Sequence, residues 1–178
     1  MFALDHYSAT LAKLNLRTEC HGNEDVAALD IFVAFNVSNR MLDELAEGLR
    51  RSLYDHDDNP AGSLLDERDH LVHLRYDTLA PLDWLEEWEH CGVVIDTGTG
   101  KKSELTFSDA TVGKLSLAPK EGGTVACKLR IQVLPQPVQT AKLAAMLKHD
   151  VSLTLDLSKA TNPAEDPETL EYENEGES

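Results

Sequence analysis

The sequence predicts a β-rich α+β domain: an antiparallel β-sandwich or partly open barrel of about eight strands with two helices, followed by a disordered acidic tail. Three observations carry this reading. Val125, Cys127, Leu129, Ile131 and Val133 alternate without a fault with Ala126, Lys128, Arg130 and Gln132, the period of two of a half-buried strand. Leu29, Ile31, Val33, Phe35 and Val37 repeat that alternation near the start of the chain. From Ala160 to Ser178, by contrast, there are seven acids, no base and little apolar surface to offset the entropy of ordering. The division that follows is one globular domain over residues 1–158 and a tail over 159–178.

In chain order, Ser8 to Glu19 reads as a strand with Leu14 and Leu16 inward and Lys13, Asn15 and Arg17 outward. Cys20 to Asp25 is a polar turn, and Ala28 to Val37 is the second arm of the hairpin. Ser38-Asn39 offers oxygen-bearing caps for a helix from about Arg40 to Tyr54, in which Leu42, Leu45, Ala46, Leu49 and Leu53 recur at helical spacing. Gly48 inside it marks a kink or a second short turn. Asp55 to Asp69 is a charged loop with Asn59-Pro60 and Gly62, and Leu71 to Tyr76 is a strand with Val72, Leu74 and Tyr76 on one side. Leu82 to Asp96 suits either a helix or two strands and a turn; Gly92 and the β-branched run Val93-Val94-Ile95 favour strands. After a loop at Thr97 to Lys102, Leu105 and Phe107 begin a strand leading into the hairpin of Leu115 to Val133, whose turn is Pro119-Lys120-Glu121-Gly122-Gly123. Pro135 and Pro137 stop it, a helix follows from about Val138 to Lys148, and Asp150 to Leu157 closes the domain as a strand.

The formal charge is −16, and setting aside Ala160 to Ser178 leaves 25 acids against 16 bases over residues 1–159. A body that acidic disfavours a broad basic surface for duplex DNA or anionic lipid. Cys20, Cys91 and Cys127 are odd in number and far apart, there is no signal-peptide pattern, and no apolar run is long enough to span a bilayer. The expectation is a cytoplasmic protein of a bacterial cell, with Cys127 acting as a small core hydrophobe.

No chemical motif survives scrutiny. Around Gly98-Thr99-Gly100-Lys101-Lys102-Ser103 a phosphate loop would need glycine at position 95, which is Ile95, and Ser or Thr after Lys101, where Lys102 stands. Cys20-His21 and His90-Cys91 lack the spacing of a zinc site, and His70 and His73 point apart on a strand. No serine has the nucleophile elbow, so no catalytic residue, metal ligand or cofactor is assigned and the protein is read as a non-enzyme. Two features stand above background. The outward faces of three predicted strands carry Lys13 and Arg17, Lys114, and Lys128 and Arg130, with Tyr7, Phe32 and Trp84 as candidate aromatics. A basic sheet face studded with aromatics holds single-stranded nucleic acid by phosphate contact and base stacking. The second feature is the acidity: Asp55, Asp57, Asp58, Asp66, Glu67, Asp69, Glu86, Glu87 and Glu89, with the tail, would suit a protein partner.

The residues Leu14-Asn15-Leu16-Arg17-Thr18-Glu19-Cys20-His21-Gly22, continuing through Ala28-Leu29-Asp30-Ile31, Ser38-Asn39 and Leu49 to Tyr54, resemble a family of small proteins of tailed bacteriophages and prophages. Lys120-Glu121-Gly122-Gly123-Thr124-Val125 is similar to that family's second fixed point. The resemblance covers most of residues 8–157 and implies a role beside phage DNA recombination or replication; it transfers no functional residues. The plan is also similar to acidic single-stranded-DNA-binding proteins of phages, which combine a β-barrel body with an acidic tail. Those end on an aromatic residue, whereas Tyr172 is the last aromatic here and the chain finishes Gly176-Glu177-Ser178.

The expected function is therefore a non-enzymatic phage-type accessory protein of DNA metabolism, binding single-stranded DNA through Lys13, Arg17, Lys114, Lys128 and Arg130. The alternative is an acidic inhibitor or DNA mimic that blocks a host nuclease, repair or defence protein. The expected partners are single-stranded DNA or a host or phage DNA-processing protein and no membrane, with self-association left open.

Overall fold

The computed structural model describes residues 3–21, 24–56, 71–98 and 103–162. The elements in chain order are β1 (Leu4–His21), β2 (Glu24–Ser38), α1 (Met41–Leu45), α2 (Leu49–Leu53), β3 (Tyr54–His56), β4 (Leu71–Leu74), β5 (Leu82–Trp84), β6 (Trp88–Asp96), β7 (Glu104–Lys120), β8 (Thr124–Val133), α3 (Pro137–Ala145) and β9 (Asp150–Asp156). Six of the strands close into an antiparallel barrel in the order β1-β2-β8-β7-β6-β9 and back to β1. The β-rich class is as expected, and of the two architectures it is the barrel that forms. β5 extends the β6 side of β7, while β3 and β4 make a separate two-stranded sheet.

The barrel interior is built from the alternation. Ile31 of β2 lies opposite Ile131 of β8, Val33 opposite Leu129, and Val37 opposite Val125. All six are buried, together with Val93, Ile95, Leu105, Leu153 and Leu155 from the other wall. Truncating one such side chain to Ala costs about 2–5 kcal/mol, because a packed interior refills the space only in part. Cys127 joins this core as expected, and burial pushes its thiol up to about 12.

So few strands must bend sharply, and register breaks supply the bending. Pairing slips between Leu4 and Tyr7, between Trp88 and Cys91, and between Gly113 and Ser116. A non-glycine residue with positive φ sits in each break: His6 at 48°, His90 at 59° and Lys114 at 49°.

Both ends of the barrel are covered. Met41, Leu42, Leu53, Tyr54 and Leu71 join the core beside the β7–β8 turn, and Leu143 of α3 joins it from the β8–β9 connection. Tyr54 is fully buried; its hydroxyl donates to Thr124 O at 2.8 Å and accepts from Lys120 N at 3.0 Å, bridging both sides of the turn.

Several expectations change. The helix expected over Arg40 to Tyr54 is two helices of one turn or so, separated by Gly48 at φ 81°, and Tyr54 already belongs to β3. Asn39 does not cap: it is buried, and its amide donates to Leu71 O at 2.6 Å, a stronger use of the side chain than an exposed helix end. The strand expected to reach Tyr76 stops at Leu74, leaving Tyr76 59% exposed. Leu16 faces inward in alternation but is 62% exposed, because β8 pairs with β2 no further than Leu29 and the β1–β2 hairpin projects past the barrel. Of the expected tail, the described part is ordered against β6, with Glu89 N donating to Thr161 O at 2.9 Å and Thr161 N to Glu89 O at 3.1 Å. Residues 163–178 lie outside the described residues.

Candidate nucleic-acid interface

The five candidate cations stand on one flank of the barrel, the outer surface of β1, β2, β8 and β7. Pairing across these strands puts Lys13, Phe32, Arg130 and Gly113 in one row. The next row is Thr10, Ala34, Lys128 and Ser116. On the other side lies Asn15, Asp30, Gln132 and Thr111, and beyond it Arg17 opposite Ala28. Lys114 occupies the β7 register break between the rows of Arg130 and Lys128. From β1 to β7 is three strand spacings, about 14 Å along a curved sheet.

Phe32 is the centre of this flank. The Lys13 ammonium lies 5.5 Å from its ring centroid, and Arg130 is its direct cross-strand neighbour on β8. The other two candidate aromatics are engaged elsewhere. Tyr7 packs edge-on to Phe35 with centroids 6.0 Å apart and donates its hydroxyl to Asn36 O, and the Trp84 indole donates to Glu86 at 3.0 Å.

Acids temper the positive charge unevenly. Arg17 Nε lies 3.0 Å from Asp30 Oδ1 and its Nη2 pairs with Glu19. Asp30 is buried on the outer face, with the Arg17 guanidinium as its ion-pair partner. Arg130 Nη2 lies 2.8 Å from Glu87 Oε1, its Nε has no hydrogen-bond partner among the described residues, and its side chain is 13% exposed. Glu87 reaches it across Gly113, where a β-carbon would fall 2.7 Å from Glu87 Cγ. Hence position 113 holds no side chain: the carboxylate occupies that space. Among the described residues Lys13, Lys114 and Lys128 are exposed and have no carboxylate partner. The flank therefore carries three ammonium groups with no carboxylate partner among the described residues, one of them 5.5 Å from the Phe32 centroid, and two guanidiniums held in ion pairs.

The acidic candidates are not brought together to the same degree. Asp57, Asp58, Asp66, Glu67 and Asp69 lie outside the described residues. Asp55 pairs with Arg75 at 2.7 Å on the small β3–β4 sheet near the β7–β8 turn. Glu86 accepts from Trp84 and Asn162, Glu87 from Arg130, and Glu89 flanks the middle of β7. Two of the nine thus neutralise arginines of this chain.

Other grouped polar residues are smaller features. His90 and Asp109, 2.8 Å apart, edge a groove of about 250 Å³ that Arg17 and Glu19 also line. Cys20 is exposed on the hairpin and Cys91 is buried in the barrel, its thiol pushed up to about 11 by burial. Among the described residues no three His, Cys, Asp or Glu side chains gather to hold a metal ion, and no helix is long and apolar enough to cross a membrane.

Sequence reasoning found the cations but missed what restrains two of them. Asp30 was legible: with Cys20 paired to Asp25, the hairpin register sets Asn15 against Asp30 and brings Arg17 diagonal to it. Glu87 carried no such signal, since its approach to Arg130 depends on the barrel bringing β6 beside β7 and β7 beside β8. No family model matches the chain, and neither a curated protein nor a solved structure matches it.

Proposed function

We propose that the protein is a non-enzymatic accessory factor of DNA metabolism, of the phage type its sequence resembles, that binds short stretches of single-stranded DNA on the outer flank of β1, β2, β8 and β7. The observation that supports this reading is the Phe32 row: a ring facing outward, covered by the Lys13 ammonium at 5.5 Å, with the Lys128 position one outward row away. A base stacking on Phe32 takes the place of the Lys13 ammonium, which then turns with Lys128 to the flanking phosphates. The ion pairs of Arg17 and Arg130 keep the net positive charge low, so the affinity is modest and strongly salt dependent.

Fluorescence anisotropy with a labelled oligo-dT at low salt tests this. Phe32→Ala should weaken binding by roughly 5- to 150-fold, the value of one stacked base at about 1–3 kcal/mol. Absence of binding at low salt, or binding indifferent to Phe32→Ala and Lys128→Glu, would overturn it.

A further inference from the structure

The projecting part of β1 has an open edge. β2 pairs with β1 out to His21, but on the opposite side β9 pairs only from Leu4 to Thr10. Leu11 then exchanges backbone hydrogen bonds with His149 and Lys148, and the Lys148 ammonium donates to Ala12 O. Among the described residues no strand lies along that side from Lys13 to His21. An unpaired edge with an exposed leucine is a template for another strand.

The side chains along this edge say which strand. We propose that it pairs with β1 of a second copy of this chain, antiparallel about a two-fold axis at Leu16. For a two-fold normal to the sheet, residues of the same parity face each other. Placing Leu16 against Leu16 of the second copy puts Leu14 against Thr18, Asn15 against Arg17, and Lys13 against Glu19, each contact made twice. The exposed leucine is covered by its equivalent, and at both ends the Lys13 ammonium meets the Glu19 carboxylate, which Arg17 of its own chain also contacts. Sliding one way by one pair places Arg17 against Arg17; sliding the other way places Lys13 against Arg17. Like charges directly opposite are destabilising, so the edge selects one register. The paired segment is about 24 Å long and ends where His149 and Lys148 of the same chain take over the edge.

This interface does not depend on DNA binding, yet it shares Lys13 with the proposed DNA site, so oligonucleotide should dissociate the dimer. The test is sedimentation equilibrium of the full chain, supported by crosslinking. Wild type should be dimeric; Lys13→Glu and Glu19→Lys should each raise the dissociation constant at least tenfold, by opposing like charges twice per dimer. The double variant Lys13→Glu with Glu19→Lys should return to within about threefold of wild type. In a Cys20→Ser background, Leu16→Cys should form an intermolecular disulfide on mild oxidation. Thr18→Cys should not, because its equivalents stand roughly 13 Å apart across the axis, beyond disulfide reach. A monomeric wild type, a double variant as weak as the single ones, or a Leu16→Cys chain that fails to crosslink would each overturn the proposal.

Discussion

Glu87→Gln separates a basic face that is held in check from one that is simply structural. The carboxylate accepts from Arg130 Nη2 at 2.8 Å; the amide keeps an oxygen there and removes the charge, so the guanidinium becomes available to phosphate. With Lys13, Lys114 and Lys128 available, three neutralised phosphates give a slope of log K against log salt near −2 for a single strand, at about −0.7 per phosphate. Adding Arg130 takes the slope to about −2.8. Between 50 and 200 mM salt the affinity should then fall roughly 20-fold for the wild type and roughly 50-fold for the variant. At the lower salt the variant should bind more tightly. Its stability should drop by only about 1 kcal/mol, since Glu87 is itself 38% exposed. Anisotropy titrations at four salt concentrations give both slopes, and denaturant unfolding gives the stability. Equal slopes would show that Arg130 does not reach the ligand, and a wild-type slope near zero would remove the electrostatic basis of the site.

Four further outcomes follow from particular residues. Tyr54→Phe deletes the hydroxyl that serves Thr124 O and Lys120 N inside the core, and should destabilise the domain by about 1–3 kcal/mol in urea unfolding with little change in the slope of that transition. Burial holds Tyr54 above its ordinary pKa of 10.0, so its share of stability is complete below pH 10 and is lost as pH rises toward the folded value; an alkaline melt series should show this in wild type and not in the Phe variant. A thiol-specific reagent at pH 8 should modify one cysteine per native chain, Cys20, and three after unfolding, because Cys91 and Cys127 are buried with thiols near 11 and 12. Glu121 is held below 4.5 by the Leu74 backbone N–H and by His73, so it contributes stability above that value which is lost as pH falls through the folded pKa; Glu121→Gln should flatten the acid limb of a melting-temperature profile.

Much of the barrel wall was legible because it needs nothing but period two: the alternating residues of β2 and β8 are the ones that face each other across Ile31 and Ile131. The strand pair within 82–96 was also legible, from Gly92 and the β-branched run that became β6. Where tertiary context decides, the reading failed. Asn39 was a sound cap by type, but a buried carbonyl at Leu71 claims it. Leu16 continues the inward phase of its strand and is exposed because β8, the strand on the far side of β2, ends early, a fact about another element's length. The cations were found by the same alternation that found the core. Their charge state as a group was not, because the acids restraining them come from positions diagonal or distant in sequence, whose approach is set by strand order.

The strand order also governs how such a chain is made. β9, the last of the described strands, fills the space between β1 and β6, so Thr10 must wait for Asp150 before the cylinder is whole. A nascent polypeptide emerging from the ribosome can form its local hairpins early, but it carries two unsealed rims until that final strand arrives. Pairings so remote in sequence are slow to form, on the scale of milliseconds to seconds, and during that interval the exposed rims are open to neighbouring chains. Synthesis speed and chaperone supply, more than the stability of the finished barrel, should therefore set the soluble yield.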